Sequence, residues 1–266
     1  MAQNREMRFS VVGHTEWVQF ARVDHVPAAG TIVHATDVWE EAAGGGPVTA
    51  AQLARLGAEV EYTTALGDDE LGRRAHVQFV EQNLRPRVQW RQEPTRRAFT
   101  YVDAAGERTI TVLGDKLLPA GPLAIDADAC FFVSGDVEAL RSARAVPFLA
   151  GVGREAATLR AAGVPLDLLV ASATDAGEDV EGIEATLVVL TDGANGGTAN
   201  GRRYEAAPVP GPVSDAYGCG DSFGAALAFA LARGDDLDAA LRLAARAGAA
   251  ELTGRGPYPA QIGALT

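Results

Sequence analysis

The chain has 266 residues, 47% of them hydrophobic and 22% charged, a composition that suits one large α/β domain. Its net charge of −12 argues against a general nucleic-acid or membrane-surface binder, since both need a positive field. Cys130 and Cys219 are too few and too far apart for a disulfide framework or zinc site, and no apolar run reaches transmembrane length, so a cytoplasmic location is expected.

Residues 8–13 read as a first strand ending in a glycine turn. Residues 15–38 are irregular, with β-branched positions around Pro27 and Gly30, and suggest the short strands of a flap. Residues 47–56 predict a helix, with proline near its start and Gly57 as its stop. A strand over 59–66 and a helix over 69–83 follow. Residues 98–102 and 108–112 read as a hairpin around Ala105-Gly106, which could join the flap strands in a small separate sheet. Apolar runs at 130–134, 165–171 and 186–191 alternate with helical stretches, which implies a mostly parallel sheet covered on both faces. An alanine-rich helix over 222–233, stopped by Gly234, and a last helix over 235–252 complete the series.

The strongest chemical signal immediately precedes that alanine-rich helix. In Asp215-Ala216-Tyr217-Gly218-Cys219-Gly220-Asp221 a carboxylate stands behind bare glycine amides at a helix start. Gly218 and Gly220 have no side chains, so an anion can approach their N–H groups closely, and the helix adds partial positive charge there. Asp221 is therefore expected to stay ionised at neutral pH. Two other readings compete. Asp221 could be a simple helix cap. Gly218, Gly220 and Gly224 also fit a dinucleotide fingerprint, but that loop belongs after the first strand, with a βαβ unit following. Lys116, the only lysine, does not follow a glycine run, so no P-loop is present.

The Asp215 to Asp221 stretch resembles the signature of the ribokinase-like (PfkB) carbohydrate kinase family, Asp-Thr-x-Gly-Ala-Gly-Asp, with Ala216 at the Thr position and Cys219 at the Ala position. Residues 23–30, Ala54-Arg55-Leu56-Gly57, residues 66–72 and Gly106-Glu107-Arg108-Thr109 match further landmarks in the family's order, so the resemblance covers nearly the whole chain. It implies a ribokinase-like three-layer α/β sandwich, a single domain over 1–266. A mostly parallel central sheet would carry a small β lid drawn from about 15–40 and 97–113. The implied activity is that of an ATP-dependent kinase phosphorylating a hydroxyl of a sugar, sugar derivative or nucleoside. Asp221 would be the base, and Gly218, Cys219 and Gly220 the anion hole.

By the same resemblance, Thr191, Gly193, Gly196 and Gly256 would contact ATP, and Asp215 would help bind a monovalent cation such as K+. Ser172 and Asp175 stand where the family commonly carries Asn-x-x-Glu, which organises the water shell of Mg2+. Asp175 keeps an oxygen donor on a shorter arm, with a cap or surface-turn role as the alternative. Val18 replaces a sugar-gripping Asp, and no Asn follows Gly44-Gly45. Glu16, Gly44 and Gly45 are the substrate candidates, while His14 and Trp17 either shape the pocket or simply pack. These departures suggest an acceptor other than plain ribose or fructose. They leave open a catalytically impaired sugar- or nucleotide-binding member of the fold. Lid pairing between subunits would make a homodimer.

Overall fold

The computed structural model describes residues 6–263. Strand β1 (Arg8–Val12) is followed by β2 (Glu16–Arg22), β3 (Asp37–Ala43), α1 (Gly45–Arg55), β4 (Glu59–Gly67), α2 (Glu70–Glu81) and β5 (Arg85–Arg91). The hairpin β6 (Arg97–Val102) and β7 (Arg108–Leu113) precedes β8 (Ala129–Phe132), α3 (Val137–Ala143), β9 (Phe148–Val152) and α4 (Ala156–Ala162). Next come β10 (Leu166–Ser172), β11 (Ala185–Thr191), the short β12 (Gly197–Ala199) and β13 (Arg202–Tyr204), then α5 (Cys219–Ala232) and α6 (Leu237–Glu251).

Nine strands form one sheet in the order β13-β12-β11-β10-β9-β8-β1-β4-β5. From β11 to β5 every neighbouring pair is parallel, and β12 and β13 extend the far edge antiparallel. Alternation along β1 and β8 divides the core. Phe9, Val11 and Phe131 face α1, α5 and α6, whereas Val12, Cys130 and Phe132 face α3 and α4. Burial on both faces is why the central strands read as continuous apolar runs. Strand β5 departs from that pattern because it is an edge, where Arg85 and Arg87 pair with Glu59 and Glu61 of β4.

The chain adds β4 and β5 on one side of β1, then returns to place β8 on the other. The strand order thus reverses between β1 and β8, the position at which open α/β sheets form a crevice beyond their strand C-termini. His14 and Ser134, just past these two strands, bridge it: the Ser134 Oγ accepts from the His14 backbone N–H at 2.8 Å.

A second sheet has the order β3-β2-β6-β7, with β2 antiparallel to β3 and parallel to β6. Its inner residues Val18, Phe20, Ala98 and Val102 pack on α1 and on Tyr217 and Tyr258. Phe20 stacks on Trp39 at 4.8 Å between ring centres and meets Tyr217 edge-on at 5.1 Å. Arg22 donates to the Ser214 carbonyl at 2.9 Å, and Arg108 to the Ala216 carbonyl at 3.1 Å. The small sheet is therefore fastened to the segment that leads into α5.

Candidate active site

Helix ends locate the site. Helices α2, α3 and α6 each begin with an aspartate, Asp69, Asp136 and Asp236, whose side chain accepts a first-turn amide. Helices α1 and α5 have no such cap. Each follows a glycine with positive φ, Gly44 at 97° and Gly218 at 85°, conformations that side-chain-bearing residues rarely adopt. These two uncapped N-termini converge: a Cβ placed on Gly45 would lie 2.9 Å from the Asp221 Oδ1 and 2.8 Å from the Val133 side chain. A Cβ on Gly220 would meet no atom of a neighbouring element within 4 Å, so there is open space beside the first turn of α5.

Asp221 lies in that first turn, half-buried, with its carboxylate against Gly45. Burial pushes its pKa up to about 6, opposed by Arg108 and Arg154 and assisted by Glu178. The expectation that the helix field alone would govern this group needs amendment, because desolvation outweighs it. Asp221 is still mostly ionised at pH 7, and it is a better proton acceptor than an exposed aspartate. Burial raises the Cys219 thiol, which stays protonated between the two glycines.

The acceptor side is assembled around β1, β2 and β8. His14 and Glu16 stand 3.7 Å apart, Nε2 to Oε1. Arg96, at the foot of β6, pairs with Glu16 at 3.0 Å. His14 Nδ1 sits 2.9 Å from the Ser134 hydroxyl, and burial, with Lys116 and Arg96 adding to it, holds its pKa well below the usual histidine value. His14 is therefore neutral at pH 7. Lys116, paired with the largely buried Glu155, bears electrostatically on both His14 and Glu16. A Cβ on Gly44 would touch the His14 ring at 3.4 Å, and its N–H donates to the Tyr217 hydroxyl at 3.1 Å. Trp17 packs away from this group, its Nε1 on Glu40 at 3.1 Å and its ring under Arg74. Glu16, Gly44, Gly45 and Asp221 thus stand together, joined by Arg96 and Lys116, which sequence reasoning missed. Lys116 carried one usable signal as the sole lysine; Arg96 carried none.

Thr191 ends β11 in register with Ser172 of β10. Gly193 and Gly196 follow in a tight turn with φ of 52° and 78°. A Cβ on Gly193 would meet only open space, whereas one on Gly196 would collide with the Tyr204 carbonyl. Strand β11 lies three strands from β8, about 14 Å at ordinary spacing. Gly256 belongs to a different group. Its N–H donates to Asp215 Oδ2 at 3.1 Å, and a Cβ there would strike the Glu41 carboxylate.

Asp215 is fully buried, also accepts the Tyr217 N–H at 2.9 Å, and has no basic side chain within ion-pair distance among the described residues. A monovalent cation fits such a carboxylate. Near it, burial pushes Glu41 up to about 7 and the fully buried Glu251 up to about 9. Both glutamates hold their protons more tightly folded than unfolded. Their contribution to stability is complete below about 4.5 and is lost as pH rises through about 7 and about 9. Glu251→Gln should remove the upper part of that loss, so the Tm of the variant exceeds the wild type at pH 9.5 and matches it at pH 6. Parallel thermal melts at both pH values check this.

The Asp175 carboxylate already holds two protein donors. Its Oδ1 accepts the Gly177 N–H at 2.9 Å and its Oδ2 the Arg154 guanidinium at 2.5 Å. Glu178, three residues on, is likewise engaged, accepting Ser172 N–H at 2.8 Å and pairing with Arg154 at 3.0 Å. Neither Arg154 nor Glu178 was legible as a site residue, because the spacing pattern points to Asp175.

The model of the pfkB family of carbohydrate kinases matches residues 8–164 and 159–262. No protein of curated function matches the chain significantly in sequence. Among solved structures, a microbiome-derived acarbose kinase superposes with a TM-score of 0.81 at 20% identity, over 98% of this chain and 97% of that one. The nucleoside kinase of Methanocaldococcus jannaschii, an archaeal member of the ribokinase family, gives 0.77 at 15% identity over 98% and 96%. Arabidopsis thaliana ribokinase, solved with ribose and ATP, gives 0.74 at 18% identity over 98% and 97%. These similarities establish a ribokinase-like fold, with its large mostly parallel sheet and smaller lid-like sheet.

Proposed function

This chain belongs to the pfkB carbohydrate kinase family, and on that footing we propose that it transfers the γ-phosphoryl group of ATP to a hydroxyl of a sugar, sugar derivative or nucleoside. One observation carries the reading: α5 starts without a side-chain cap, and its first turn, which carries Asp221, has open space beside Gly220. The acceptor hydroxyl lies against the free side of the Asp221 carboxylate, with the γ-phosphoryl at the Gly218, Cys219 and Gly220 amides. Asp221 takes the hydroxyl proton as the oxygen attacks phosphorus, and the bond to the ADP oxygen breaks. The amides hold the charge that spreads over the transferring group. ATP lies along the C-terminal edge of the sheet toward Thr191, Gly193 and Gly196. Magnesium would arrive with the nucleotide, and Asp215 would hold K+, which would balance its buried charge. The small sheet acts as a lid, excluding water that would otherwise hydrolyse ATP.

A screen of sugars, cyclitols and nucleosides for ADP formation tests the activity. Ligand-induced stabilisation without ADP formation across the panel would instead support a binding protein of the same fold, a reading motivated by the engaged Asp175 carboxylate.

Since the ionised form of Asp221 is the active one, kcat/KM should fall tenfold per pH unit below about 6 and level off above it. Arg108→Gln should move that inflection upward, because Arg108 favours the charged carboxylate. At the acceptor end, Glu16→Gln should raise acceptor KM by about 10- to 100-fold, the worth of a hydrogen bond to a charged group. The KM for ATP should stay unchanged. Steady-state kinetics in each substrate separate the two.

A further inference from the structure

Arg154 stands in the turn after β9, at the C-terminal edge of the main sheet. That turn approaches β10 closely because Gly153 has no side chain: a Cβ there would lie 2.6 Å from that of Ala171 and 3.3 Å from that of Glu178. Arg154 meets Asp175 at 2.5 Å and Glu178 at 3.0 Å, and both contacts use Nη2 alone. Among the described residues, Nη1 and Nε make no hydrogen bond. Over half of the side chain is exposed. The four carboxylate oxygens of the two acids each hold a donor already, from Arg154, Gly177 or Ser172. The acids thus hold and orient a guanidinium at this edge. Strand β9, whose C-terminal turn carries Arg154, is the direct neighbour of β8 at the crevice, and Arg154 and Glu178 both bear electrostatically on Asp221.

Resting on the kinase reading above, we infer that Arg154 is a phosphate-contacting residue, whose free guanidinium edge grips the terminal phosphates of ATP while Asp175 and Glu178 position it. A planar guanidinium binds phosphate oxygens in a paired geometry, and its charge is permanent. It supplies at this edge a cation that needs no metal. A solvent-exposed ion-pair triad that merely tied residues 172–178 to β9 would add little stability and would not touch nucleotide binding.

Calorimetric binding of ATP and of AMP to wild type, Arg154→Gln and Arg154→Lys, in magnesium and in EDTA, distinguishes the two. Contact with the terminal phosphates requires that Arg154→Gln weaken ATP at least tenfold while AMP changes less than twofold, and that this gap persist in EDTA. Lysine should restore only part of it. Thermal melts should show the variants folded, with Tm close to wild type. Turnover of an acceptor found in the screen should fall about 10²- to 10³-fold in Arg154→Gln. Equal ATP affinity in wild type and Arg154→Gln would overturn the inference, and if wild-type turnover survived, the kinase reading would stand without it. A selective loss of ATP affinity in a protein that phosphorylates nothing would leave the phosphate contact standing while the kinase reading failed.

Discussion

Replacing Asp221 with asparagine should lower turnover by about 10²- to 10⁴-fold, the usual worth of a positioned general base. The substitution keeps the size and much of the polarity of the side chain and removes its ability to accept a proton. The carboxylate is held up to about 6 by burial, so the wild type pays a desolvation cost that the neutral amide does not. Asp221→Asn should therefore fold at least as stably as wild type near neutral pH, where most of the wild-type carboxylate is charged. ATP affinity should change less than threefold, because the amides of Gly218, Cys219 and Gly220 are main-chain groups. Rate loss without binding loss is the pattern of an interaction made only in the transition state. Turnover within threefold of wild type would remove Asp221 from the chemistry.

Gly220→Ala should cost nearly as much for a different reason. Gly220 lies in the first turn of a helix, and a methyl group there would touch no atom of a neighbouring element within 4 Å. Alanine favours helix over glycine by about 1 kcal/mol, so the variant should be as stable as wild type or more so. The methyl would instead occupy the space that the transferring phosphoryl needs. Loss of one oxyanion donor typically costs about 10²- to 10³-fold in kcat, and a comparable loss is expected here with Tm unchanged or raised. Gly218→Ala cannot make the same point, since its φ of 85° and its contacts with Val48 and Pro257 would strain the fold as well. A fully active Gly220→Ala would show that the open N-terminus of α5 holds no anion.

The family and the fold class were legible in the sequence because their signals are local. A glycine-flanked Asp221 at a helix start, and apolar runs alternating with helices, survive as patterns in a single chain. Strand β5 was missed because Arg85-Pro86-Arg87 reads as a loop, while an edge strand tolerates charges and a proline that a central one does not. The hairpin β12–β13 is only three residues a side and leaves no periodicity to detect. Site chemistry divides in the same way. Gly44 and Asp221 sit in motifs and Glu16 stands near Val18, where the family motif is broken, whereas Arg96, Arg154 and Glu178 act through long-range pairings that no spacing encodes. The magnesium expectation at Asp175 came from alignment of a motif, and the guanidinium that pairs with its carboxylate comes from the turn after β9, 21 residues away. Local helix electrostatics predicted the sign of charge at Asp221, but only the packed structure gives the desolvation that sets how basic it is.

A crystal structure with ADP and aluminium fluoride would examine the chemistry most directly, because the fluoride complex mimics the transferring phosphoryl group. Its fluorines should lie within about 3.2 Å of the Cys219 and Gly220 amides, with the Asp221 carboxylate in line behind the vacant acceptor oxygen position. Nucleotide bound elsewhere, or a fluoride complex whose open face points away from Asp221, would contradict the assignment of this helix terminus as the place where phosphoryl transfer occurs.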